Sequence, residues 1–416
     1  MATSPSNEAS SPALWQVVPM AEYTLPADTV EQKIRSGIGA FWKIFEAKEA
    51  EREAPVQAEG DLQGLSPGQM GSVAPDPVWA EAVEALEARI SGWLADEPPA
   101  RPVIFLVSPP HAFREKILAA WAKGRGWRML ESPDPRHLLT GEEGWIPERF
   151  DGHPKWVFPH LEDGFLRHAG SLGPVRRLLD DLCTGRLGRG IVGCDSWAWA
   201  FLTRIWRGRS FAPIAIQAFD AGRLERWFGD LSAGTGRRRL DFRHPEDGRY
   251  VLPPLPENED ETGKTPKSSG YLQHLAAWSR GIPGIALALW RRSLRIEWKR
   301  TGEDGESETE ETAKRPAPRS SVWVTPWETA ARSGLPSETD RDPAFAAHAL
   351  LLHNGLPDEI LTRILPLSPS RTRQALSLLE DCGAAAETEG IWRITALGYP
   401  SVRQFLKNEG YLTDGF

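Results

Sequence analysis

Between residues 103 and 232 the apolar positions follow two alternating rhythms. Short unbroken runs at 103–107, 127–130, 156–161, 190–193 and 212–218 have the length and composition of buried strands. Between them, at 113–123, 172–184, 197–206 and 220–231, apolar residues recur at three- and four-residue steps, the spacing of a helix with one buried face. Strands alternating with helices predict an α/β fold, a three-layer arrangement in which helices cover both faces of a five-stranded parallel sheet. A periodic helix precedes it, with Asp76 as cap, Pro77 in the first turn and Trp79, Val83, Leu86, Ile90, Trp93 and Leu94 on one face. The pattern therefore places the core at 76–232.

The flanks read differently. Residues 1–75 are expected to be a mobile region: 1–28 are rich in Ser, Pro and Ala, and 47–75 form a charged linker. Between these, at 29–46, Val30, Ile34, Ile38, Phe41, Trp42 and Phe45 outline an amphipathic helix weakened by Gly37 and Gly39. Docking against protein and peripheral membrane contact are both open to it. Residues 233–269 read as a polar insertion, 270–298 as helix broken at Gly281-Ile282-Pro283-Gly284, and 299–320 as a second linker. Within 321–416 the spacing predicts three short helices, a hairpin turning at Gly390 and a closing helix.

Composition narrows the function classes. A 416-residue chain, 40% hydrophobic, can bury two cores of ordinary size, and its net charge of −8 offers nucleic acid no global attraction. Three scattered cysteines suit a reducing cytoplasm and exclude a disulfide framework, and His137, His153, His160 and His168 lack metal-ligand spacing, so no metal is expected. The opening residues lack the order of a secretory signal, and no apolar run is long enough to span a bilayer, so a soluble cytoplasmic chain is expected. The eighteen Trp are read first as packing groups, with an exposed docking patch as the alternative.

The candidate chemistry lies after the first strand. Residues 108–115 stand where a phosphate-binding loop G-x-x-x-x-G-K-[ST] would, but the four signature positions are Ser108, Phe113, Arg114 and Glu115. Phe113 puts a side chain where backbone must approach phosphate, and Glu115 sets a carboxylate where a neutral hydroxyl would meet magnesium. Ser108, Pro110, His111, Arg114 and Glu115 are the nucleotide-binding candidates of this loop. Gly263-Lys264-Thr265 is read as a flexible-loop coincidence, since no strand precedes it and Asn258 replaces the first glycine.

The order of parts, core then helical segment then three helices with a hairpin, resembles AAA+ and STAND-type P-loop NTPases with a helical lid and a C-terminal winged helix. The resemblance covers roughly 76–416 by layout. It implies ATP or ADP as the ligand of the pocket. In such families the third strand ends in an acidic motif, but here the magnesium-binding Asp falls near Pro159 or His160, leaving Glu162 as the candidate catalytic carboxylate. Glu162 either polarises a water or is a solvated helix-start carboxylate. At the end of the fourth strand Cys194, Asp195 or Ser196 takes the phosphate-sensing place, or Asp195 and Ser196 cap the next helix. Pro283 opens the lid helix near the adenine, with Arg291 or Arg292 as lid arginine. Arg167, Arg176, Arg177, Arg204, Arg207 and Arg209 are phosphate clamps or surface charge.

These eroded motifs imply a regulatory or scaffold protein that contacts another protein and hydrolyses nucleotide inefficiently if it holds any. One alternative is a slow ATPase using Arg114 and Glu162. The other is a DNA adaptor using Arg371 and Arg373, which the charge count opposes: from Pro343 onward eight acidic side chains face six basic ones.

Overall fold

The computed structural model describes residues 13–26, 57, 59–141, 146, 155–206, 212–233, 240–253, 270–297, 320–326 and 341–416. The expected helix at 29–46, the Gly263-Lys264-Thr265 triplet, Arg207 and Arg209 lie outside the described residues.

Strand formation begins earlier than the sequence pattern indicated. Leu14 and Trp15 are buried and lead into β1 (Val17–Pro19), so part of the segment expected to be mobile is fixed. After β2 (Leu62–Gly64) and α1 (Pro67–Val73), α2 (Ala80–Ala95) starts one turn later than Asp76-Pro77 suggested. Asp76 does not cap it: its carboxylate accepts from Arg291 at 2.8 Å.

The expected parallel sheet is present, with a strand at each of the five apolar runs: β3 (Val103–Ser108), β4 (Arg128–Met129), β5 (Lys155–Phe158), β6 (Arg189–Asp195) and β7 (Ile214–Ile216). The helices between them are α3 (Arg114–Arg125), α4 (Pro135–Thr140), α5 (Ala169–Thr184) and α6 (Ser196–Ile205), and α7 (Ala221–Ala233) follows β7. Strand order is β1-β7-β3-β6-β5-β4, with β1 antiparallel to β7, so six strands replace the expected five. β1 is held by Trp15, whose ring lies 4.8 Å from Phe219 and 6.1 Å from Trp227, a burial that outweighs the ordering cost of a three-residue strand.

The chain leaves β3 toward β4 on one side of the sheet and leaves β6 toward β7 on the other. Right-handed crossovers then put α3 and α6 on opposite faces and open a crevice at the carboxyl ends of the adjacent strands β3 and β6. Ser108 and Asp195, the last residues of these strands, are partners in register.

A second sheet corrects three expectations. β8 (Leu240–Arg243), β9 (Leu294–Glu297) and β10 (Ser320–Val324) join β2 in the order β2-β9-β10-β8, with β8 and β10 parallel. The linker at 47–75 and the insertion at 233–269 thus each supply a strand, and Phe242, Val251 and Leu252 are buried. The segment at 270–298 forms α8 (Tyr271–Trp278) and α9 (Pro283–Ser293) but ends in β9 rather than helix. These short strands bury one face on Trp290, which stacks on Phe228 at 4.6 Å and tilts against Phe242 at 5.3 Å.

The last unit comprises α10 (Asp342–Leu352), α11 (Asp358–Ile364), α12 (Pro369–Asp381), the hairpin β11 (Ala385–Thr388) and β12 (Ile391–Ile394), and α13 (Tyr399–Asn408). It packs on the core through α10 against α6, and the Trp197 indole donates to the Tyr399 hydroxyl at 3.1 Å.

Replacing Trp15 with Ala is expected to cost about 3–5 kcal/mol, the usual range for emptying a buried aromatic site. Denaturant unfolding measures this; a change below about 0.5 kcal/mol, typical of an exposed position, would show that β1 does not belong to the core.

Candidate functional site

The loop between β3 and α3 keeps a bent backbone without the glycines that would relax it. His111 and Phe113 adopt φ of 63° and 62°, the left-handed region that costs a non-glycine residue about 1–3 kcal/mol. Aromatic packing offsets that cost at Phe113, whose ring lies 4.9 Å from Trp79 and 6.5 Å from Trp227. His111 is held neutral, with burial pushing its pKa down to about 4. Its carbonyl accepts from Gly284 N at 3.0 Å, tying the loop to the first turn of α9. A Cβ at Gly284 would stand 2.2 Å from that carbonyl, so only glycine permits the approach. Pro283, buried beside it, occupies the first turn of α9, where its missing N–H costs nothing.

Arg114 follows the loop but turns into the core. Its guanidinium donates to the Ser108 hydroxyl at 3.3 Å and the Pro159 carbonyl at 3.2 Å, and forms an ion pair with Glu162. Gly193 leaves the space it needs, since a Cβ there would lie 3.0 Å from the Arg114 Nε and 2.3 Å from the Pro159 carbonyl. Glu162, in a 3-10 turn (Leu161–Gly164) after β5, is fully buried. Its other oxygen accepts from Asp195 N at 2.9 Å, and His160 Nδ1 stands 3.1 Å from the first. Glu162 is therefore not the solvated carboxylate that one reading of the sequence expected, because both its oxygens are engaged inside the protein.

Charge balance follows from these contacts. Burial works to raise the Glu162 pKa, but Arg114 and His160 outweigh it and hold the carboxyl down at about 2. Burial would lower the His160 pKa, but hydrogen bonds to Glu115 and Glu162 raise it to about 10. The His160 Nε2 faces the Glu115 carboxylate at 3.6 Å. Asp163, accepting from the Ser132 hydroxyl at 2.6 Å, is pushed up to about 6 by burial and by the Glu162 charge.

The remaining candidates are placed as follows. Asp195 caps α6, accepting from Trp197 N at 2.9 Å. Ser196 instead donates to Asp414 at 2.5 Å, and Pro110 is buried within the loop. Arg291 is committed to Asp76 and the Ala74 carbonyl, and Arg176 to the Ile205 carbonyl. Arg167 reaches His348 at 3.3 Å, joining the core to the last unit. Arg371 pairs through two nitrogens with Asp342 at 2.6 and 2.7 Å, an interaction internal to the last unit.

These residues do not fit Mg·ATP in the manner of a phosphate-binding loop. The cation that would grip phosphate is neutralised by Glu162, a carboxylate occupies the hydroxyl position, and Phe113 anchors the loop in an aromatic cluster. Among the described residues no group of His, Cys, Asp and Glu is arranged to hold a metal ion.

No protein-family model matches the chain, and no curated protein is similar to it in sequence. Among solved structures it is similar to a Walker-type ATPase of Pyrococcus abyssi, at 13% identity, with 79% of this chain and 96% of that one covered and a TM-score of 0.32. It is also similar to the RuvB Holliday junction branch migration motor of Thermotoga maritima, at 13% identity, with 80% and 95% covered and a TM-score of 0.34. A Drosophila ORC structure bound to DNA matches at 13% identity, with 86% and 99% covered and a TM-score of 0.32. At these scores the likenesses carry no statement about activity.

Two outcomes follow from the ion network. Arg114→Met and Glu162→Gln are each expected to cost about 3–5 kcal/mol, because each breaks a buried ion pair. The double variant should cost clearly less than the sum, and additivity within about 0.5 kcal/mol in a double-mutant cycle would rule out the pairing.

Stability should also peak near neutral pH. His160 keeps its proton in the folded chain up to about pH 10, so its contribution is complete below its ordinary pKa of 6.5 and is lost as pH rises through 10. His111, His348 and His353, each pushed down to about 4 chiefly by burial, contribute above 6.5 and lose that contribution as pH falls toward 4. Unfolding free energies measured from pH 4 to 10 check this. His160→Gln should flatten the alkaline limb, whose slope for one proton is at most about 1.4 kcal/mol per pH unit.

Proposed function

We propose that the chain is a degenerate AAA+/STAND-like module in which an internal ion pair has replaced phosphate chemistry, and that it acts as a regulatory or scaffold element binding another protein in the cytoplasm. The observation that carries this reading is the buried Arg114–Glu162 pair. The two groups that would grip phosphate and activate water are bonded to each other, so neither is free for a ligand. The layout supports the family assignment: a parallel sheet with its crevice at β3 and β6, α8 and α9 as lid, and α10–α13 with the β11–β12 hairpin as winged helix. Protein is the favoured partner over DNA because Glu387 and Glu389 stand in the hairpin, and Arg371 is already paired.

The test is equilibrium binding of Mg·ATP to the full chain together with phosphate release. The expected result is a Kd weaker than about 1 mM and no turnover above the protein-free rate. Micromolar binding, with turnover that Glu162→Gln abolishes in folded protein, would establish the slow-ATPase reading instead.

A further inference from the structure

The crevice at the carboxyl ends of β3 and β6 is covered by the chain itself. After α13, residues 411–416 run without regular secondary structure, and Asp414 and Phe416 are buried. The Asp414 carboxylate accepts from the Ser196 hydroxyl at 2.5 Å and from Arg403 at 3.0 and 3.2 Å. The Phe416 carbonyl accepts from Arg403 at 2.9 Å and from Arg280 at 2.5 and 3.0 Å, while its ring stands edge-on to Tyr23 at 4.6 Å. The groups that meet here come from four parts of the fold: Tyr23 from the segment after β1, Ser196 from the start of α6, Arg280 from the turn before α9, and Arg403 from α13.

We propose that this cradle is a peptide-binding site for a carboxylate set two residues before an aromatic ring, and that its resident ligand is the chain's own segment 411–416, seated where a parallel sheet of this topology receives its ligand. Arg280 and Arg403 are close enough to repel, and the Asp414 carboxylate and Phe416 carbonyl relieve that repulsion. Tyr411 ties the start of the segment to α13 and α10: its N donates to the Leu406 carbonyl at 2.9 Å, and its ring lies 6.1 Å from Phe345 and 5.1 Å from His348. The anchors that reach α6 and the turn before α9 are Asp414 and Phe416, and a competing peptide can reproduce them. The occupied cradle clamps α13 to α6 and to the lid turn; a partner peptide of the same chemistry would keep that clamp and set segment 411–416 free. The inference rests on the reading above in one respect, that the intact chain seats no nucleotide in this crevice.

The test uses the full chain carrying Asp414→Asn with Phe416→Ala, and a fluorescent peptide of the natural sequence from Glu409 to Phe416. The variant is expected to bind the peptide at least tenfold more tightly than the unaltered chain, whose cradle is already filled. A peptide carrying Asp414→Asn should lose most of that binding. Equal affinity for the two proteins, or binding to neither, overturns the proposal. Should the double variant fail to fold, Ser196→Ala removes a single hydrogen bond to Asp414. Hydrogen exchange should then rise at residues 411–416 and in the turn at 279–282 while β3 and β6 keep their protection; unchanged exchange there also overturns the proposal. ATP turnover by the unaltered chain would defeat the lost-chemistry reading and, with it, the premise that no nucleotide enters this crevice, whereas failure of peptide capture leaves the Arg114–Glu162 argument standing.

Discussion

The buried pair of Arg114 and Glu162 is the constraint around which the crevice is built. A guanidinium taken out of water needs a carboxylate and filled hydrogen-bond positions, and here Ser108, Pro159 and Glu162 supply them from the ends of β3 and β5 and the turn that follows. The second Glu162 oxygen then fixes Asp195 N, so one carboxylate joins three adjacent strands. Gly193 is required because the guanidinium lies over β6, and His160 stays protonated because two carboxylates face it. Removing Glu162 would leave the buried guanidinium without its ion-pair partner, a charge that a protein interior solvates poorly.

The parallel sheet was legible because a strand buried on both faces must be apolar throughout, and the runs at β3, β5 and β6 announce themselves in composition alone. β1 was not, since three residues ending in Pro19 inside a Ser- and Pro-rich stretch carry no periodicity. The neighbouring Leu14-Trp15 pair was the available sign. The second sheet was hidden for a related reason. β2, β8, β9 and β10 are short, half-buried strands from distant parts of the chain, and each finds its partners only after the others are placed.

At the site, sequence showed which letters had changed but not where the new side chains went. Phe113 could be seen to block phosphate; its insertion between Trp79 and Trp227 could not, because those residues lie on separate helices or beside them. In the sequence Arg114 is a nucleotide-binding candidate and Glu162 is open to a catalytic or a solvated role, and their distance along the chain gives no hint that they satisfy one another. Asp414 and Phe416 were missed altogether. The only local sign was an acidic-aromatic Asp-Gly-Phe placed after the last helix, and such a triplet means nothing until the fold brings Arg280 and Arg403 to it.

Both anion-seeking centres of the crevice are thus matched from within: Arg114 by Glu162, and Arg280 with Arg403 by Asp414 and the Phe416 carbonyl. In a nucleotide-dependent protein the phosphates would supply that negative charge, and the closure of lid and last unit on the sheet would vary with their presence. Here the closing charge is covalently part of the chain, so its effective concentration is set by a short tether rather than by a metabolite. A ligand free in solution must outcompete an intramolecular one to enter the crevice. Only a partner that reproduces both the carboxylate and the ring, or that binds the freed segment itself, has the differential affinity to do so. That requirement is the physical ground for proposing another protein, rather than a small anion, as the competitor.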